Sequence, residues 1–89
     1  MRLDLFLKRT YLLKSRTLAK EICDAGGATV NGKIAKSSQI LHAEDVVRLR
    51  LATRDLEFRV VAIPGGNVTK RDAAKFFAIL RDEGGAPAW

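Results

Sequence analysis

The sequence predicts an α+β fold: two short N-terminal helices packed on a small antiparallel sheet, with a C-terminal helix. Three observations predict it. Apolar residues recur at helical spacing in the first 25 positions, and they alternate at strand spacing from Val47 onward. Between these stretches an Asn31-Gly32 pair sits between two short strand-like runs. The length of 89 residues allows one small core and excludes a multi-domain enzyme.

The first helix covers part of residues 3–13. Leu3, Phe6 and Leu7 share a face at i, i+3, i+4, and Leu12 and Leu13 follow after a break near Arg9-Thr10. Asp4 lies in its first turn, where it serves either the helix N-terminus or a nearby arginine as an orienting partner. Ser15 is a good N-cap for a second helix, in which Leu18, Ala19, Ile22 and Ala25 line one face with Cys23 at its margin. Gly26 and Gly27 end that helix with a left-handed stop. Arg16 and Lys20, four apart, share a face and can address phosphates together.

Strands follow. Ala28-Thr29-Val30, Asn31-Gly32 and Lys33-Ile34-Ala35 form a tight hairpin, because Asn-Gly accepts the positive φ angles of a type I′ turn. A polar loop separates it from a second pair, in which Val47, Leu49 and Leu51 point one way and Arg48 and Arg50 the other. Those two arginines are either phosphate ligands or solvated strand residues. Leu56, Phe58 and Val60 alternate with Glu57, Arg59 and Val61. After Pro64-Gly65-Gly66-Asn67, a last helix opens at Thr69, with Asp72 as a weak capping box and Ala73, Phe76, Phe77 and Leu80 as its apolar stripe. Residues 84–89, with Trp89, form a frayed tail.

The net charge of +6 points to a polyanionic partner. Residues 1–40 carry eight basic side chains against three acidic, whereas residues 41–89 carry eight against seven. The grip on an anion therefore belongs to the first 40 residues. One cysteine and one histidine exclude a disulfide framework and a zinc cluster, so no metal or cofactor is expected. His42 stands apart from any nucleophile, and no phosphate loop of the Gly-x-x-x-x-Gly-Lys-Ser/Thr type occurs. Enzyme chemistry is not expected. No apolar run reaches the length of a membrane span, and Asp4 interrupts any leader-like start, so a cytoplasmic protein without membrane contact is expected.

Arg2-Leu3-Asp4 with Phe6-Leu7, the run 14–24, Gly26, Val30-Asn31-Gly32 and Ala35-Lys36 together resemble the S4 RNA-binding domain, whose fold is the alpha-L motif. The resemblance is dense over residues 1–51. It implies an S4 domain over residues 1–63, with 64–83 as a linker and a C-terminal helix packed on it. Within the superfamily the chain is similar to the RqcP group of ribosome-associated quality control and to the heat-shock protein 15 group. The resemblance implies binding of the large ribosomal subunit obstructed by peptidyl-tRNA, through rRNA and tRNA contacts, as a monomer. In the RqcP group it further implies assistance to an RqcH-type protein that extends the stalled chain at its C-terminus. The heat-shock protein 15 group implies the same binding without tailing. The RNA-contact residues so implied are Arg2 and Arg16, with Asp4 as their polar neighbour, joined by Lys8, Lys14, Lys20 and Lys36. A DNA-binding helix-turn-helix is the competing class, although it leaves the Asn-Gly hairpin without a role.

Overall fold

The computed structural model describes residues 1–52 and 54–84. Helix α1 spans Leu3–Arg9 and α2 spans Arg16–Asp24. Strands β1 (Ala28–Val30), β2 (Lys33–Ile34), β3 (Val46–Arg50) and β4 (Arg54–Val60) follow, then α3 (Lys70–Ala73) and β5 (Phe77–Gly84). The strands form one sheet in the order β2-β1-β3-β4-β5, and every neighbouring pair is antiparallel.

Local chemistry sets most of the boundaries. Thr10 follows α1 and returns its hydroxyl to the Phe6 carbonyl at 2.7 Å, after which Tyr11 takes a φ of 61° and turns the chain. The Ser15 hydroxyl accepts the Leu18 N–H at 3.1 Å and starts α2. At the other end Gly26 N–H donates to the Cys23 carbonyl at 2.9 Å and Gly27 N–H to the Ile22 carbonyl at 2.8 Å. That is a Schellman stop, with Gly26 at φ 77°. Gly27 has a different task. A Cβ there would lie 3.1 Å from the Ile22 side chain and 3.2 Å from the Arg50 carbonyl oxygen, so its bareness lets α2 end against β3. Asn31 and Gly32, at φ 52° and 85°, make the two-residue hairpin that pairs Val30 with Lys33.

The core lies between the helices and one face of the sheet. Leu3, Phe6 and Leu7 from α1 meet Val47, Leu49, Leu56, Phe58 and Val60 from β3 and β4. Phe6 stacks on Phe58 at 6.0 Å, and Phe77 meets Phe58 edge-on at 5.9 Å. Alternation along β3 holds as expected, with Val47 and Leu49 buried and Arg50 exposed. On α2 the most buried residues are Ala19 and Cys23, while Leu18 and Ile22 are only partly covered.

The C-terminal segment departs from expectation. A helix does open at Thr69, whose hydroxyl accepts the Asp72 N–H at 3.3 Å, but it ends at Ala73 instead of continuing to Leu80. Residues 77–84 form β5, pairing Val60 with Phe77, Arg59 with Ala78 and Phe58 with Ile79. The spacing of Ala73, Phe76, Phe77 and Leu80 fits a helical stripe, yet the open edge of β4 offers these residues a full ladder and a place for Phe77 against Phe58. Tertiary pairing outweighs the local pattern. The register slips between Glu57 and Phe58, so Leu80 is the extra residue of a bulge. β5 runs to Gly84, where the tail was expected to begin; the rest of that tail, with Trp89, lies outside the described residues.

Candidate RNA interface

Two of the expected site residues converge on the carboxylate of a third. Asp4 is 4% exposed, and its two oxygens receive Arg2 Nε at 3.2 Å and Arg16 Nη2 at 3.3 Å. Arg2 Nη2 adds a second bond at 3.3 Å, and the Leu5 N–H donates to Asp4 Oδ1 at 2.8 Å. Both of its readings from sequence are observed: the carboxylate orients the two arginines, and it stands in the first turn of α1 and accepts a backbone N–H there.

The backbone places these groups. Leu3 N–H donates to the Gln39 carbonyl at 2.8 Å and Asp4 N–H to the Ser37 carbonyl at 3.1 Å, which docks the β2–β3 loop on the start of α1. Arg2 forms an isolated antiparallel bridge with Ile40. Exposed Lys36 precedes Ser37 and so stands at this same end of the molecule. Lys20 shares the Arg16 flank of α2, one turn on.

The electrostatic consequence is specific. The side chains of Arg2 and Arg16 remain 47% exposed while Asp4 is covered. Two guanidinium groups are thus held by one buried anion, leaving a net positive surface in which both arginine side chains are half exposed. Each guanidinium is planar, with five donors, and suits two-pronged contact with phosphate oxygens.

Lys8 and Lys14 stand elsewhere. They line an apolar groove with Leu18, Ile22 and Ala25, on the flank of α2 turned away from Arg16 and Lys20. The expected cations therefore fall into two groups, one around Asp4 and one along the groove. Two further cations line the groove: Arg50 of β3, which the sequence leaves open between phosphate ligand and solvated strand residue, and Lys70 of α3, which sequence reasoning missed. Arg48, left open between two roles, pairs with Asp55 at 3.1 Å. Cys23 is buried, and burial, followed by the charges of Asp24 and Asp4, pushes its thiol above the ordinary pKa.

Comparison with known proteins gives a consistent result. The S4 domain family model matches residues 1–47. The RQC P-site tRNA stabilizing factor of Streptococcus pneumoniae is 39% identical over 82 residues, which are 92% of this chain and 92% of that protein. The factor of the same name from Bacillus subtilis is 37% identical over 83 residues, 93% of this chain and 95% of that protein. Among solved structures, the trimeric structure of Vibrio cholerae heat shock protein 15 superposes with a TM-score of 0.81 at 23% identity, over 89% of this chain and 80% of that one. The solution structure of a hypothetical protein superposes with a TM-score of 0.79 at 33% identity, over 93% of this chain and all of that one.

Proposed function

The chain belongs to the S4 domain family and, within it, to the family of RQC P-site tRNA stabilizing factors, and from that premise we propose that it binds the large ribosomal subunit obstructed by peptidyl-tRNA. It contacts both rRNA and tRNA and assists an RqcH-type protein in adding a C-terminal tail to the stalled chain. The observation that carries the RNA contact is the Arg2–Asp4–Arg16 cluster.

A side chain cannot read bases in the deep, narrow major groove of double-stranded RNA, so recognition falls to shape, phosphates and 2′-hydroxyls. Shape recognition requires cations at fixed separations. Asp4 meets that need by holding both guanidiniums at distances of 3.2–3.3 Å before RNA arrives, which lowers the cost of ordering two long side chains on binding. Lys20, one turn along α2 from Arg16, and Lys36, beside the Ser37 that meets the start of α1, add softer point charges. The protein performs no bond chemistry in this reading. It stabilises one arrangement of RNA on which a partner acts.

Affinity capture of the tagged chain from lysate tests the proposal. Large subunits carrying peptidyl-tRNA are the expected catch; free tRNA alone, or protein alone, overturns the ribosomal reading. Depletion of the chain in cells should shorten or remove tails on stalled nascent chains. Tails of unchanged length and yield would overturn the assisting role while leaving subunit binding intact.

A further inference from the structure

The groove that holds Lys8 and Lys14 has a chemistry of its own. It encloses about 970 Å³ between the end of α1, one flank of α2 and the end of β3. Its floor is aliphatic: Leu12, Leu18, Ile22 and Leu51 are packed on the core from one side and left partly uncovered on the other. Its rim is cationic. Lys8, Lys14, Arg50 and Lys70 surround the floor, and Glu21 is the acid among the described lining residues. Among the described residues, none of these cations is drawn tightly to a carboxylate. Arg50 lies 3.9 Å from Asp55, which is engaged more closely by Arg48, and Lys70 sits over the Tyr11 ring at 5.8 Å.

We propose that this groove docks an acidic amphipathic helix from a protein partner, separately from the RNA surface around Asp4. Leu18 and Ile22 on α2 and Ala25 at its C-cap stand at i, i+4 and i+7 and give the groove a straight apolar wall, which fits the i, i+3, i+4, i+7 stripe of an incoming helix. Four cations against one anion favour a ligand whose polar flanks are Asp- and Glu-rich. A single-stranded nucleic acid would also welcome the charge, but it gains affinity by stacking bases on exposed rings. The floor offers aliphatic side chains instead. Among the described lining residues the one ring is Tyr11, whose hydroxyl is tied to the Val68 carbonyl at 3.1 Å and whose face is occupied by Lys70.

The test uses the full chain, labelled with ¹⁵N, and three probes. One is a synthetic 14-residue peptide with leucines on one helical face and glutamates elsewhere; the second has the same composition in scrambled order; the third is an oligouridine. The amphipathic peptide should shift the amides of Leu18, Ile22 and Leu51 saturably, and the scrambled peptide should bind at least about tenfold more weakly. Changing Lys14→Glu together with Lys70→Glu should cost the amphipathic peptide about tenfold in affinity, with the melting temperature as the control for folding. Equal binding of both peptides, no binding of either, or oligouridine saturating these amides at lower concentration than the amphipathic peptide would each overturn the proposal.

Discussion

The arginines of the two halves of the molecule are used in opposite ways. Around α1 and α2, Arg2 and Arg16 share one buried carboxylate, so two positive charges stand against one negative. Along β3, β4 and β5, three of the described arginines each meet a surface acid, and Arg50, at 3.9 Å from an acid already engaged by Arg48, is the exception. Arg48 pairs with Asp55 at 3.1 Å, Arg59 with Glu44 at 2.7 Å and Arg81 with Glu83 at 3.5 Å. Exposed pairs of that kind contribute little stability, about 0–1 kcal/mol each, and they cancel the local field. The first arrangement leaves charge available to a ligand, and the second hides it. Counting basic residues therefore overstates the positive surface open to a ligand. What matters is how many acids each cation meets, and whether the acid is itself reachable by solvent.

Removing the shared anion breaks the contrast most severely. Asp4→Asn keeps the volume but withdraws the charge that faces both arginines. Because the arginines are half exposed and can turn to water, the expected loss is about 1–3 kcal/mol of folding stability, below the full cost of a deeply buried ion pair. Urea denaturation at neutral pH checks this. A midpoint equal to that of the parent protein would mean that Asp4 contributes nothing by its charge.

A pair of arginine variants sharpens the same contrast through salt. Arg16→Ala should weaken binding to large subunits and reduce the slope of log affinity against log salt by about 0.7–0.9, the share of one phosphate contact. Arg48→Ala removes an equal formal charge, but one already met by Asp55, so its slope should stay with the parent's. Equal slope changes in the two variants would show that net charge alone governs binding.

How far the sequence could foretell this depended on the range of the interaction. The Ser15 cap, the Gly26 stop and the Asn31-Gly32 turn are settled by neighbours within five residues, and each stands where it was expected. Strand β5 is settled by β4, about twenty residues earlier, and so the Phe76-Phe77 pair could be read as helical. Asp4 lay between the two cases: its spacing from Arg2 is local, but its bond to Arg16 crosses the α1–α2 turn and needed coordinates. The groove was illegible for the same reason, since its walls come from four separate segments. One signal did exist. Leu18, Ile22 and Ala25 make the apolar face of α2 wider than Ala19 and Cys23 alone require for the core.

The smallest effect concerns Cys23, which senses the acids of the helical half. Burial is the main cause of its raised pKa, with Asp24 and then Asp4 adding to it. The folded chain therefore keeps this proton at pH values where the unfolded chain has lost it. Above the ordinary thiol pKa the unfolded state binds fewer protons, so stability falls as pH climbs toward the folded value, and below that window the term vanishes. Unfolding measured between neutral pH and mildly alkaline pH should show the decline, and Cys23→Ala should flatten it while lowering stability uniformly by the loss of a buried sulfur. Alkylation gives a second readout, because a protonated thiol reacts slowly. Asp24→Asn, at an exposed position on the same helix, should speed the reaction of Cys23 in the folded protein, whereas Glu57→Gln on β4 should not. Equal acceleration by both would assign the shift to overall charge rather than to the acids of α1 and α2.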